Sequence, residues 1–131
     1  MHRLLPLLLL AASCSGAHVG ATHIAAHDLQ RQIGTPTAPP ILDVRSGREY
    51  AHGHVPGAIH FPFWAAFGRA STLELPCDRP VVVYCEHGPR AGLARLALRS
   101  AGFERVLYLE GHMSAWRAAG RPLETGTPGP G

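Results

Sequence analysis

Residues 84 to 92 read Tyr84-Cys85-Glu86-His87-Gly88-Pro89-Arg90-Ala91-Gly92, directly after the apolar run Pro80-Val81-Val82-Val83 and before a stretch with helical spacing. Cys85 therefore falls where a buried strand gives way to a helix. A thiol at such a junction meets unpaired backbone N–H groups and the positive end of the helix dipole, and both favour thiolate over thiol. Arg90 adds a permanent positive charge at the far end of the loop. The chemistry this arrangement suits is nucleophilic attack by sulfur with a covalent intermediate. On its own, Cys-x4-Arg is a short pattern, and a free cysteine ending a buried strand is more often a small core hydrophobe. The remainder of the chain has to decide between the two.

It does so through several landmarks in order. Cys85-Glu86-His87-Gly88-Pro89-Arg90 resembles the six-residue active-site loop of the rhodanese family, with its Cys-x-x-Gly-x-Arg pattern after a Val-rich strand. Ile41-Leu42-Asp43-Val44-Arg45 resembles the family's first central strand. Glu49-Tyr50-Ala51-His52-Gly53-His54-Val55-Pro56-Gly57-Ala58 is similar, nearly residue for residue, to its Glu-[Tyr/Phe]-x-x-Gly-His-[Ile/Val]-Pro-Gly-Ala segment, the most specific of the matches. Val106 to Trp116 resembles the last strand and the Gly-Gly-x-x-x-Trp helix start, with His112 in place of the second glycine. The resemblance covers about residues 22 to 123.

What the resemblance implies is sulfur transfer. The Cys85 thiolate would take the outer sulfur of thiosulfate or a persulfide donor, hold it as a persulfide, and pass it to a thiol or cyanide without metal or organic cofactor. The loop Glu86, His87, Gly88, Pro89 and Arg90 would curl its N–H groups around the sulfur as an anion-binding nest, Pro89 stiffening the curl without contributing an N–H. Arg90 would bind the donor's sulfonate or brace the loop through backbone carbonyls. Asp43 and Arg45 are expected to pair near the loop as structural residues, and His54 to brace the Val55-Pro56-Gly57 turn. His87 is expected to be an exposed loop histidine. Glu86 is the misfit: a carboxylate beside the cysteine raises the thiol pKa and repels an anionic donor unless it points outward.

Other classes fit less well. The related phosphatase and arsenate-reducing branch places five residues between cysteine and arginine, where this chain has four, a ring better sized for sulfur than for a tetrahedral oxyanion. A non-catalytic rhodanese-like binding or sulfur-carrier module is the alternative to an enzyme, against which stands the retention of both Cys85 and Arg90. Nine histidines invite a metal, notably His23 with His27 and His52 with His54, but the sequence places no third ligand, so no metal site is expected.

The elements that must position the loop follow from pattern. The chain's 131 residues suffice for one core. Its twelve basic residues are all arginine, and a formal charge of +3 without a basic block gives no support for a nucleic-acid partner. Arg3 followed by the apolar run Leu4 to Ala12 reads as a signal-peptide core, so residues 1 to 21 are expected to be a leader and the domain exported, to the periplasm or a lipid anchor. Leu10-Ala11-Ala12-Ser13-Cys14 resembles a bacterial lipobox, which leaves lipidation of Cys14 and ordinary cleavage both open. Cys77 and Cys85 are too far apart along an extended strand to pair, and Cys77 reads as a bystander. Strands at Ile41–Val44, Val81–Tyr84 and Val106–Leu109 alternate with helices, predicting an α/β fold with a mostly parallel central sheet and helices on both faces. Ser46 with Glu49 predicts a capping box, and the helix from Arg90 is expected to turn Leu93, Leu96 and Ala97 inward and Arg95 and Arg99 outward. The domain is expected over 22 to 123, with a disordered tail over 124 to 131.

Overall fold

The computed structural model describes residues 21–128; residues 1–20, with Cys14 and all but the last residue of the expected leader, and residues 129–131 lie outside the described residues. Five short strands, β1 (His23–Ile24), β2 (Ile41–Asp43), β3 (Ile59–His60), β4 (Val81–Tyr84) and β5 (Val106–Leu109), form one parallel sheet in the order β1-β5-β4-β2-β3. Five helices fill the connections: α1 (Ala26–Gln32), α2 (Gly47–His52), α3 (Ala66–Arg69), α4 (Pro89–Ser100) and α5 (His112–Ala118), with 3-10 turns flanking α3. The expected α/β architecture is what forms.

Alternation along the central strand divides the core in two. Val81, Val83 and Cys85 face α4 with Ala91, Ala94, Ala97, Leu98 and Phe103, whereas Val82 and Tyr84 face Leu29, Tyr50, Met113 and Trp116 of α1, α2 and α5. All four residues of β4 are buried, as a strand covered on both faces requires. Because β4 lies between β2 and β5, the connections leaving β2 and β4 run in opposite directions, and in open α/β sheets such a switch point is where ligands bind, beyond the carboxyl ends of the strands. Cys85 is the first residue past that end.

Four expectations change. The inward face of α4 is Ala91, Ala94, Ala97 and Leu98, leaving Leu93 and Leu96 exposed together with Trp64 and Phe67. Small alanines let the helix axis approach the sheet closely, which the larger leucines could not do. Arg95, expected outward, lies back on β5, donating from Nε to the Val106 carbonyl at 3.0 Å and resting over the Tyr108 ring. The C-terminal stretch is held at its start: His54 and Glu124 exchange backbone hydrogen bonds of 2.9 and 3.0 Å, and Gly126 donates to Ala51. Cys77 is disulfide-bonded rather than a bystander thiol, and Cys85 is the free cysteine among the described residues.

Candidate active site

Ser46 caps α2, its hydroxyl accepting from the Glu49 N–H while the Glu49 carboxylate accepts from the Ser46 N–H, the reciprocal box its sequence predicts. This fixes Glu49 at the rim facing the cysteine loop. Arg90, in the first turn of α4, closes on it with two parallel bonds, Nη1 to Oε1 at 2.6 Å and Nη2 to Oε2 at 2.9 Å. The Arg90 hydrogen bonds hold the Glu49 carboxyl down at about 2, despite the upward push of burial. Arg90 is thus a brace between α4 and α2, and its brace is a carboxylate where the sequence reading offered backbone carbonyls as the alternative to a donor's sulfonate.

Beneath the loop lies a buried ion pair. Asp43 ends β2 with no exposure and accepts from the Arg45 N–H, from Arg45 Nε at 3.0 Å and Nη2 at 2.7 Å, and from the Tyr84 hydroxyl at 2.7 Å. Arg45, 1% exposed, also donates to the Gly53 carbonyl at 2.7 Å and to Glu86 at 3.3 Å. Every part of the pair is therefore compensated, the condition under which a buried pair is tolerated. Tyr84 accepts from the Val55 N–H, and burial beside Asp43 drives its phenol well above the usual range. The Val55 turn is braced by Tyr84 and by the Tyr50 hydroxyl on the Ala58 carbonyl. His54, expected in that role, stacks on Tyr50 at 3.7 Å, bonds its carbonyl through Nδ1, and lies 3.7 Å through Nε2 from the Glu124 carboxylate that accepts from the Gly57 N–H.

Glu86 points outward. Its carboxylate meets Arg117 of α5 at 2.9 Å as well as Arg45, and the Arg117 hydrogen bond lowers its pKa. The charge next to the cysteine is neutralised by two arginines, so the repulsion that its type suggests is removed by its direction. His87 is exposed, as expected, and Gly88 and Pro89 turn the chain into α4.

The sulfur sits inside this frame. Gly88 donates its N–H to Cys85 Sγ at 2.9 Å, from a backbone at φ +133° that L side chains rarely adopt. Cys85 is 1% exposed, and its burial favours the neutral thiol. Hydrogen bonding from the His112 side chain and from the N–H groups of Ala91, Gly88 and His87 outweighs burial and brings the thiol down to about 7. The first turn of α5 completes the frame from behind, Met113 N–H donating to the Cys85 carbonyl and Ser114 N–H to the Glu86 carbonyl at 3.0 and 3.2 Å.

Two contributors escaped the sequence reading. Glu49 was visible only as a capping residue, because its partner Arg90 lies 41 positions away. His112 was visible only as a departure from a Gly-Gly pair. Its Nδ1 accepts from the Cys85 N–H at 3.2 Å, and it holds the one positive φ of any non-glycine described residue, 52°. Among the described residues no group of three or more potential ligands gathers to hold a metal ion.

Comparison with known proteins agrees with this geometry. The model of the rhodanese-like domain matches residues 25–119. A sulfurtransferase of Allochromatium vinosum is 39% identical over 83 residues, covering 63% of this chain and 76% of that protein. The thiosulfate sulfurtransferase GlpE of Actinobacillus pleuropneumoniae serotype 5b is 33% identical over 104 residues, covering 79% and 94%. The solution structure of the rhodanese-like domain of the Alr3790 protein from Anabaena superposes with a TM-score of 0.70 at 37% identity, covering 81% of this chain and 80% of that one. With a parallel five-stranded sheet, a cysteine loop at its switch point and a family match over most of its length, the chain belongs to the rhodanese-like domain family.

Proposed function

We propose that the protein is a sulfurtransferase that carries sulfane sulfur on Cys85. The observation that carries this reading is a cysteine sulfur accepting a backbone N–H at 2.9 Å inside a braced loop, with its pKa near 7. About half of such a thiol is ionised at neutral pH. The thiolate attacks the outer sulfur of thiosulfate; the donor's S–S bond breaks and sulfite leaves with the electron pair. The terminal sulfur of the resulting persulfide is anionic and accepts the loop's N–H groups in place of water. A thiolate or cyanide then attacks that terminal sulfur, and the Cys85 thiolate is the leaving group. Arg90, held by Glu49, keeps the loop curled and adds positive potential beside the sulfur, consistent with its pKa being raised partly by Cys85.

The domain acts outside the cytoplasm in this reading. Support comes from the leader pattern before residue 22, an arginine followed by a short apolar run. Cleavage and lipidation at Cys14 predict different mature N-termini, which mass spectrometry of the exported protein distinguishes. No helix among the described residues is long and apolar enough to cross a membrane.

Steady-state thiocyanate formation from thiosulfate and cyanide tests the activity. Parallel double-reciprocal lines, lost in Cys85→Ser, are expected of the two-step cycle. Absence of turnover with thiosulfate and with a persulfide donor would leave the non-catalytic binding or carrier module as the reading of this fold.

A further inference from the structure

The junction between β5 and α5 is built with an unusual residue. Gly111 has φ +71°, and a Cβ there would fall 2.3 Å from that of Ala115, so only glycine fits. The next position, His112, is also left-handed at φ 52°. A histidine is strained in a conformation that glycine adopts freely. Strain retained in this way marks a constraint from the surroundings. The surroundings here are the cysteine loop. The ring lies over it, with Nδ1 on the Cys85 N–H at 3.2 Å and Nε2 facing Gly88, 3.4 Å from where a Cβ would stand. Tyr108 packs beside it, ring centroids 6.1 Å apart.

The backbone N–H fixes the imidazole's state. An amide can only donate, so Nδ1 must offer its lone pair, and a proton there would meet the amide hydrogen head-on. With the Nδ1 lone pair turned to that amide, the ring's hydrogen sits on Nε2, on the side of Gly88. Gly88 is also the residue whose N–H meets Sγ. Pro89 has no N–H to give to that part of the ring of donors. We propose that His112 is a positioning residue of the sulfur-carrying loop, whose imidazole anchors the Cys85 backbone through Nδ1 and offers its Nε2 hydrogen to the anionic sulfur held there. The lowered thiol pKa, to which the His112 side chain contributes, agrees with such a donor.

Other charges around the sulfur are already committed: Arg90 to Glu49, Glu86 to Arg45 and Arg117, with His87 exposed and Tyr108 behind the ring. The inference rests on the sulfur-transfer reading for its purpose but is tested apart from it. Two variants separate the imidazole's roles and suit the left-handed backbone: His112→Gly removes both nitrogens, and His112→Asn keeps an acceptor near the Cys85 N–H without reaching Gly88. Thermal unfolding should show both folded. Cys85 alkylation by iodoacetamide is then followed across pH, and sulfur loading from thiosulfate is measured in parallel. Both variants are expected to shift the alkylation midpoint upward, leaving about tenfold less thiolate at about pH 6, and to load more slowly. An unchanged midpoint in His112→Gly overturns the proposal, and an unchanged midpoint in His112→Asn overturns Nε2 donation. A shifted midpoint in a protein that takes sulfur from no donor supports His112 while the sulfur-transfer reading fails.

Discussion

Replacing Asp43 by Asn removes one charge from the buried pair under the loop and leaves its shape almost intact. In the native site Asp43 accepts from Arg45 N, Nε and Nη2 and from the Tyr84 hydroxyl. Asparagine presents one oxygen and an NH₂, so one side of the group turns a donor toward other donors. Tyr84 cannot simply reverse, because its oxygen already accepts from the Val55 N–H. Arg45 is left charged with 1% exposure, held by the Gly53 carbonyl at 2.7 Å and Glu86 at 3.3 Å. Breaking a buried pair by removing one partner costs about 3–5 kcal/mol, and the two remaining contacts place this site at the lower end, about 3 kcal/mol. For a domain of this size the melting temperature should fall by roughly 15 °C. Urea denaturation of Asp43→Asn, Arg45→Met and the double variant measures it. The double variant should recover most of the loss, since a neutral pair leaves no buried charge behind. A single-variant loss below about 1 kcal/mol, or a double variant worse than either single one, would refute the assignment of an uncompensated Arg45.

Three further outcomes follow from the same geometry. Cys85 alkylation should rise with pH around a midpoint near 7 as thiol gives way to thiolate; a midpoint at the free-cysteine value of about 8.5 contradicts the nest. A double-mutant cycle on Glu49→Gln and Arg90→Gln should give a coupling of about 1 kcal/mol, modest because the pair is partly exposed, and independence of the two would remove the brace. Since the folded Glu49 pKa is depressed to about 2, that coupling is present above the unfolded value and is lost as pH falls from 4.5 toward 2. Glu86→Gln should leave kcat/KM for thiosulfate within about twofold, because Arg45 and Arg117 already neutralise the carboxylate; a large rise would restore the repulsive role that its residue type suggests.

Much of this was legible along the chain because it is local. The Val81–Tyr84 run, the Ser46 and Glu49 box and the Gly88-Pro89 helix start each declare themselves within a few residues, and the parallel sheet follows from their alternation. Contacts across the sheet were not legible. Glu86 looked repulsive by type because its direction depends on Arg117, 31 positions on, and Arg90 was matched to the donor's sulfonate or to loop carbonyls because Glu49 is 41 positions back. The face of α4 was misread for a different reason: hydrophobic spacing favours Leu93 and Leu96, while close helix–sheet approach selects the alanines. His112 showed as a mismatch, but its part in the site depends on a backbone angle that sequence does not reveal.

The most direct measurement is the intact mass of the purified protein and of Cys85→Ser, before and after thiosulfate, with sulfite followed in the same tubes. A persulfide on Cys85 predicts a gain of about 32 Da in the native protein alone, matched by one equivalent of sulfite and reversed by cyanide. An equal gain in Cys85→Ser, or no gain from thiosulfate or any persulfide donor, would contradict sulfur transfer through this cysteine.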